Sequence, residues 1–205
     1  VPAAGGIPAL GPHALTVTKL RREGTPAWEK SIGCESMVSP EAVAIGEGDR
    51  VFFGGTLYAR GTWGTTTIEP PGTAVGVVGS VTTDGTASWL VPILSNEGAS
   101  LTALAKLPGG GVLAAGHGEG LLSVGTERAT GRALFSTTID AAGKVTSLGT
   151  LKAPAGGDRI ARVATDGKGR VAFVGSIESE LRFAPTAAPL PNRGRTDGFI
   201  ALFGR

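Results

Sequence analysis

With 205 residues and 41% apolar content, the chain is long enough to bury a full-sized core, either as one domain or as several repeating units. Its net charge is only +2 and no basic run exceeds two residues, which excludes the footprint of a nucleic-acid binder or of a protein held on an acidic membrane. No apolar stretch approaches the roughly 20 residues of a membrane-spanning helix, so no span is expected.

The chain begins VPAAGGIPALGP, a stretch of small residues, Gly and Pro with no charge and no periodicity, so residues 1–13 are expected to be a linker. It opens on Val1 rather than Met, as a processed or excised product does, and a signal peptide could have been removed. Thereafter 34 Gly and 13 Pro are spread between short apolar runs, a pattern of many tight turns and many strands. The first predicted strand is ALTVTKL at 14–20, closed by the turn RREG. A second, PAWEKSI, occupies 26–32, and EAVAI at 41–45 is the third. Between them lies Cys34, the single cysteine, which excludes an internal disulfide and is expected to be a partly buried small hydrophobe. The polar turn GEGDR then leads into VFFGG at 51–55, followed by a long loop that carries Tyr58 and Trp63.

The same series then recurs. AVGVVGSV with the turn TTDG, ASWLVPIL, LTALAK, and VLAAG behind PGGG run from 74 to 116, and a second long loop begins at His117. ALFSTTI with DAAG, KVTSLGTL, IARVAT, and VAFVG behind DGKGR run from 133 to 175. After a third long loop, GFIALF at 198–203 starts a fourth copy. The VFFGG column repeats at intervals of 61 and 59 residues, and the column Leu20, Val81, Ile139, Phe203 at 61, 58 and 64. Trp28 and Trp89 share a column that holds Ser147 in the third copy. No segment carries a helical amphipathic pattern long enough to compete: SLTALAKL, the most Ala-rich, is cut by Pro108 and the glycines after it.

Four short antiparallel strands per unit of about 60 residues is the pattern of a β-propeller blade. A β-sandwich has no reason to repeat at this period, and a β-solenoid repeats at much shorter ones. The expected fold is therefore all-β, a partial propeller of about three four-stranded blades plus an extra strand. The repeats would span 14–73, 74–132 and 133–197, with 198–205 the first strand of a fourth. Propellers close with about 4 to 8 blades, so three would need completion by the rest of a longer parent chain or by a partner chain.

The repeat resembles the bacterial β-propeller repeat family of secreted and surface proteins, often called SBBP repeats. Its pattern is an Asp-aromatic-Val-Ala-Lys-Leu strand, Gly then Trp, an Ala-Val strand, Asp-Gly-Asn, and a Val-Tyr-Val-Thr-Gly strand. The residues that carry the likeness are Asp197, Phe199, Ile200 and Ala201; Lys19 and Leu20; Gly24 with Trp28; Gly85 with Trp89; and ATDGKGRVAFVG at 164–175. The resemblance covers nearly all of residues 14–205. It implies an exported, non-catalytic, interaction-type protein at the cell surface, outside the cell or in the periplasm.

Few residues offer chemistry. His13 and His117 are the only histidines, and a general base needs an orienting carboxylate and a nucleophile in reach. Ser123 and Asp84 are available, but no G-x-S-x-G elbow occurs, so no enzyme is expected. There is no CxxC or HxxxH, and no cofactor is expected; calcium, the ion that carboxylates of turns such as GEGDR and DGKG would take, has only one or two oxygens per turn. The GKV and GKG tripeptides at 143–145 and 167–169 lack the spacing of a phosphate loop and are hairpin turns. Trp28 and Trp89 could stack a sugar, but their shared strand column favours packing between units. Tyr58, Trp63 and His117, all on the long loops, are the candidate exposed contacts. Lys106, Arg159 and Arg162 interrupt the third strand, the one that lines the central channel of a propeller, while its aligned starts, Glu41, Thr102 and Ala161, form no ring of like residues. The expected partner is a protein or the rest of a longer chain. The alternative is a glycan-binding or glycan-acting propeller.

Overall fold

The computed structural model describes residues 11–153, 156–183 and 188–204, so most of the expected linker lies outside the described residues. Seventeen strands are formed among them. β1 (His13–Leu20) and β2 (Pro26–Cys34) make a hairpin, as do β3 (Val38–Ile45) and β4 (Val51–Leu57). A small hairpin, β5 (Gly61–Trp63) and β6 (Thr66–Ile68), lies within the first long loop. β7 (Val75–Val81) and β8 (Ala87–Ser95) follow, then β9 (Gly98–Lys106) and β10 (Val112–Glu119). The second long loop holds β11 (Leu121–Val124) and β12 (Glu127–Thr130). The chain continues through β13 (Ala133–Ile139), β14 (Val145–Lys152), β15 (Arg159–Thr165), β16 (Val171–Ile177) and β17 (Asp197–Phe203).

These strands form four antiparallel sheets, and the fold is all-β as expected. The first sheet runs β1-β2-β5-β6, the second β3-β4-β7-β8-β11-β12, the third β9-β10-β13-β14 and the fourth β15-β16-β17. Each full sheet thus takes its first two strands from the end of one sequence repeat and its next two from the start of the following repeat. The two columns of the sequence are cross-strand neighbours: Val51 pairs with Val81, Val112 with Ile139 and Val171 with Phe203. The inserted hairpins reach backwards. β5 pairs with β2 through Gly33–Thr62 and Cys34–Gly61, and β11 pairs with β8 over Leu122–Val124. An outer strand that would otherwise present bare N–H and C=O groups is covered in this way.

The sheets stack face to face around three apolar cores. Leu15, Trp28, Ile32, Phe53, Val75 and Val77 fill the space between the first and second sheets. Phe52, Val78, Ile93, Leu101, Val112 and Phe135 fill that between the second and third, and Leu134, Ile160, Ile177 and Phe199 that between the third and fourth. The second sheet is covered on both faces, which is why every residue of β4 and β7 is buried and, Thr56 and Ser80 apart, their sequences run to apolar residues and Gly rather than alternating. Each fully buried Phe or Leu contributes on the order of 2 kcal/mol. β3, β9 and β15, the first strands of their sheets, lie side by side along one edge of the stack. No closed ring is present among the described residues.

A recurring clasp ties the first sheet to the second and the second to the third. Trp28 of β2 donates its indole N–H to the carbonyl of Thr83 at 3.0 Å, in the turn joining β7 and β8. Trp89 of β8 does the same to Ala141 at 3.1 Å, in the turn joining β13 and β14. Gly85 and Gly143 close those turns at φ of +89° and +87°, and a Cβ on either would lie 2.6 Å from Cγ of the opposing Trp. The ring needs both the left-handed backbone and the missing side chain. At the third sheet Ser147 stands in the Trp column and bonds instead to Thr138 across its own hairpin.

Candidate functional site

The long loops all leave one end of the sheets. β4, β10 and β16 end there, and their pairing partners β3, β9 and β15 begin there, with Val38 opposite Leu57, Gly98 opposite Glu119 and Arg159 opposite Ser176. Antiparallel pairing therefore gathers at one rim residues far apart in sequence.

His117 sits at this rim, near the end of β10, across from Ser100 on β9 and Leu134 on β13. Its surface is open to solvent, yet protein crowds the ring on the remaining sides. Burial is the largest cause that lowers its pKa from 6.5, followed by the positive charges of Arg159 and Arg132, with Glu41 opposing them. Both causes favour the neutral imidazole, which feels Arg159 of β15, Arg132 of the loop before β13 and Glu41 of β3. Arg132 is held by an ion pair with Glu119. Nearby, Asp158 is almost fully buried and accepts from the backbone N–H of Glu178 at 2.7 Å, that of Ser179 at 3.2 Å, and the Ser179 hydroxyl. These bonds fix the start of β15 against the third long loop. No hydrogen bond reaches the His117 ring from the described residues. The cluster can receive polar or charged groups of a ligand through its rim charges.

Along the edge formed by β3, β9 and β15, Glu41, Thr102 and Arg162 line a cavity of about 180 Å³. Thr102 donates to the carbonyl of Ile160 at 2.6 Å, linking β9 to β15, and Glu41 accepts from Ser39 at 2.6 Å. One acid, one hydroxyl and one base face this cavity.

Of the three expected contacts, Tyr58 and His117 reach the surface. Trp63 does not. Only 6% of it is exposed, and it packs edge-on against Phe53 at 5.4 Å. The loop that carries it folds as the β5–β6 hairpin on the edge of β2, which turns the ring into the first core; its indole nitrogen has no hydrogen-bond partner among the described residues. Trp28 and Trp89 have their indole N–H groups engaged in the clasps between sheets, and Trp89 lies 5.8 Å from Phe52.

Two of the turn carboxylates, Asp166 and Glu47, are engaged within the chain. Asp166 accepts from the backbone N–H of Lys168 and Arg170 and from Arg170 Nε at 2.6 Å, and Glu47 accepts from the N–H of Gly109 at 3.1 Å. Among the described residues no group of three His, Cys, Asp or Glu side chains is arranged to hold a metal ion, and no helix is long and apolar enough to cross a membrane.

A feature not singled out in the sequence lies between the third and fourth sheets. Phe135, Phe173, Phe183, Phe199 and Phe203, five of the seven phenylalanines, line an apolar cleft of about 340 Å³ with Leu151. Its only signal in the sequence is the density of Phe after residue 170. Compared with models of known protein families and with curated proteins, the chain matches no family and no curated sequence.

Proposed function

We propose that the chain is an exported, non-catalytic interaction module of the β-propeller type, related to the bacterial β-propeller repeats that its motifs resemble. In this reading each sheet is a blade, with β3, β9 and β15 as inner strands facing a central channel. The observation that carries it is the strand order, repeated from sheet to sheet with the inner strands side by side at one edge. The contact surface is the rim where the long loops emerge around Tyr58, His117, Arg132 and Arg159. Its mixture of charge and exposed aromatic surface suits a protein partner, since rim charges set orientation and association rate while an aromatic supplies contact area.

Photo-cross-linking in the native host tests this. A cross-linker at position 58 or 117 is expected to capture one defined partner in the extracytoplasmic fraction, whereas one at position 29, on the outer face of the first sheet, captures none. Recovery of the protein in the cytoplasm, or equal capture from all three positions, would refute the reading.

A further inference from the structure

A role that belongs to the fold repeats from unit to unit, as the turn glycines and the Trp clasps do. One group of residues around the second sheet departs from its counterparts in the other units, and the departures converge on one cavity. β11 pairs with β8 only from Ser95 to Ile93. The next residue toward the start of β8 is Pro92, which has no N–H to give a neighbouring strand, and there β11 turns away at Gly125. The notch so formed is a cavity of about 410 Å³, room enough for a small organic ligand.

Leu90, Val91, Pro92 and Leu94 of β8 and Val145 of β14 give the notch an apolar lining. Counted from the shared Trp column, the places of Val91, Pro92 and Leu94 hold Lys30, Ser31 and Gly33 in the first sheet, and Gly149, Thr150 and Lys152 in the third. Two cations line the same cavity. Lys144, just past its turn glycine, stands where the other units have Thr25 and Thr86. Arg128 on β12 stands where β6 has Thr67, since Val124 pairs with Glu127 as Trp63 does with Thr66. Neither cation forms an ion pair with a described residue. Arg128 Nη1 donates to the carbonyls of Gly125 and Glu127, both at 2.8 Å, which holds the guanidinium in place. The acids close by in the chain stand aside: Glu127 does not line the cavity, and Asp140 Oδ1 accepts from the N–H groups of Ala142 and Lys144 within its own turn. The walls are set before any ligand arrives. A Cβ on Gly125 would lie 3.0 Å from Val145 Cγ2, so the β11–β12 turn is seated on β14, and the turn at Gly143 is pinned by the Trp89 clasp.

We propose that this notch binds a small apolar molecule carrying one carboxylate, its body along Leu90, Val91, Leu94 and Val145 and its charge between Arg128 and Lys144. An apolar lining with a few fixed polar groups is how small-ligand sites are built, the lining giving affinity and the charges orientation. None of the lining residues belongs to the rim around Tyr58 and His117, so the proposal is independent of the reading above.

The probe is octanoate added to the intact chain, with octan-1-ol as its uncharged analogue and octylammonium as its oppositely charged one. Amide shifts are followed by two-dimensional NMR of the isotope-labelled protein. Octanoate is expected to shift residues 90–94, 123–128 and 143–145 saturably, while 58 and 117 stay unchanged. Octanol should bind about tenfold more weakly, because it forgoes the hydrogen bonds to a charged group, and octylammonium more weakly still. Lys144→Thr and Arg128→Thr, which install the residues that the equivalent places carry, should each weaken octanoate about tenfold and leave octanol unchanged. That split separates a lost charge contact from misfolding. Leu94→Gly, the first-sheet residue, should weaken both ligands while 75–81 stay protected from hydrogen exchange. Equal affinity for octanoate and octanol, shifts centred on the phenylalanine cleft or spread over the surface, no saturation at millimolar octanoate, or shifts at the same residues that grow with chain concentration alone would each overturn the proposal. Any of these outcomes leaves the rim reading standing, so the two failures are distinguishable.

Discussion

Three glycines in one sequence column make a controlled experiment on what holds the sheets together. Gly24, Gly85 and Gly143 close equivalent turns at φ of +86°, +89° and +87°, donating to the carbonyls of Arg21, Thr82 and Asp140. Their backbones are alike; their surroundings are not. A Cβ on Gly24 would meet nothing within 4 Å, whereas one on Gly85 would lie 2.6 Å from Cγ and 2.8 Å from Cδ1 of Trp28. Gly24→Ala therefore costs only the left-handed conformation, about 1–2 kcal/mol. Gly85→Ala incurs that cost and must also displace a packed indole, adding about 1–3 kcal/mol for overpacking and about 1 kcal/mol if the bond to Thr83 is lost. For a chain of this size each kcal/mol lowers Tm by about 2–4 °C, so Gly24→Ala should fall by about 4 °C and Gly85→Ala by about 10 °C. Thermal and urea unfolding of both, alone and in a Trp28→Leu background, measure the difference. In that background the excess cost of Gly85→Ala should vanish, because the coupling belongs to the pair. Equal costs for the two alanines, or an excess that survives removal of the Trp, would show that the clasp between sheets does not carry the stability assigned to it.

Trp63→Phe should change stability by less than about 1 kcal/mol, since the buried indole nitrogen satisfies no partner and the ring area is largely kept; Trp28→Phe, which gives up the bond to Thr83, should cost more, and the reverse order in urea denaturation would contradict the placement of the two rings. The pKa of His117 is lowered in the folded chain, so as pH falls the unfolded state takes up the proton first. Its contribution is complete above about pH 6.5 and is lost as pH drops from there through the folded value. His117→Gln should flatten the loss of stability in that window, and an unchanged slope would show that the ring is not held neutral. Cys34 is fully buried in the first core; its thiol should resist a water-soluble disulfide reagent in the native chain and react stoichiometrically in denaturant, whereas rapid native labelling would mean that the edge where β5 joins β2 opens readily.

The strands themselves were legible in the sequence, because a pleated strand between polar turns imposes a local pattern of apolar runs and Gly that needs no knowledge of the partner. The shared columns were legible for the same reason: Gly85 meets Trp28, and Gly143 meets Trp89, of the preceding unit in the same way, so the physics repeats with the period. Tyr58 does lie in the loop that follows β4, but His117, expected on a loop, is a residue of β10, because the pairing with β9 and β13 runs two residues past the Gly that closes the sequence repeat. The tertiary structure decided what the period could not. An apolar run such as VFFGG is equally ready to pair on either edge, and only the assembled fold joins it to the first strand of the following repeat, so that sheets straddle the sequence units. It also turned part of a polar loop, GTW, into a strand on the preceding sheet, burying Trp63, because an uncovered edge and an open apolar face nearby outweighed the loop's local preference for solvent. The grouping of His117, Arg159 and Glu41 at one rim, and the cleft between Phe135 of the third sheet and the phenylalanines of the fourth, are likewise products of stacking: no spacing along the chain encodes the distance between sheets.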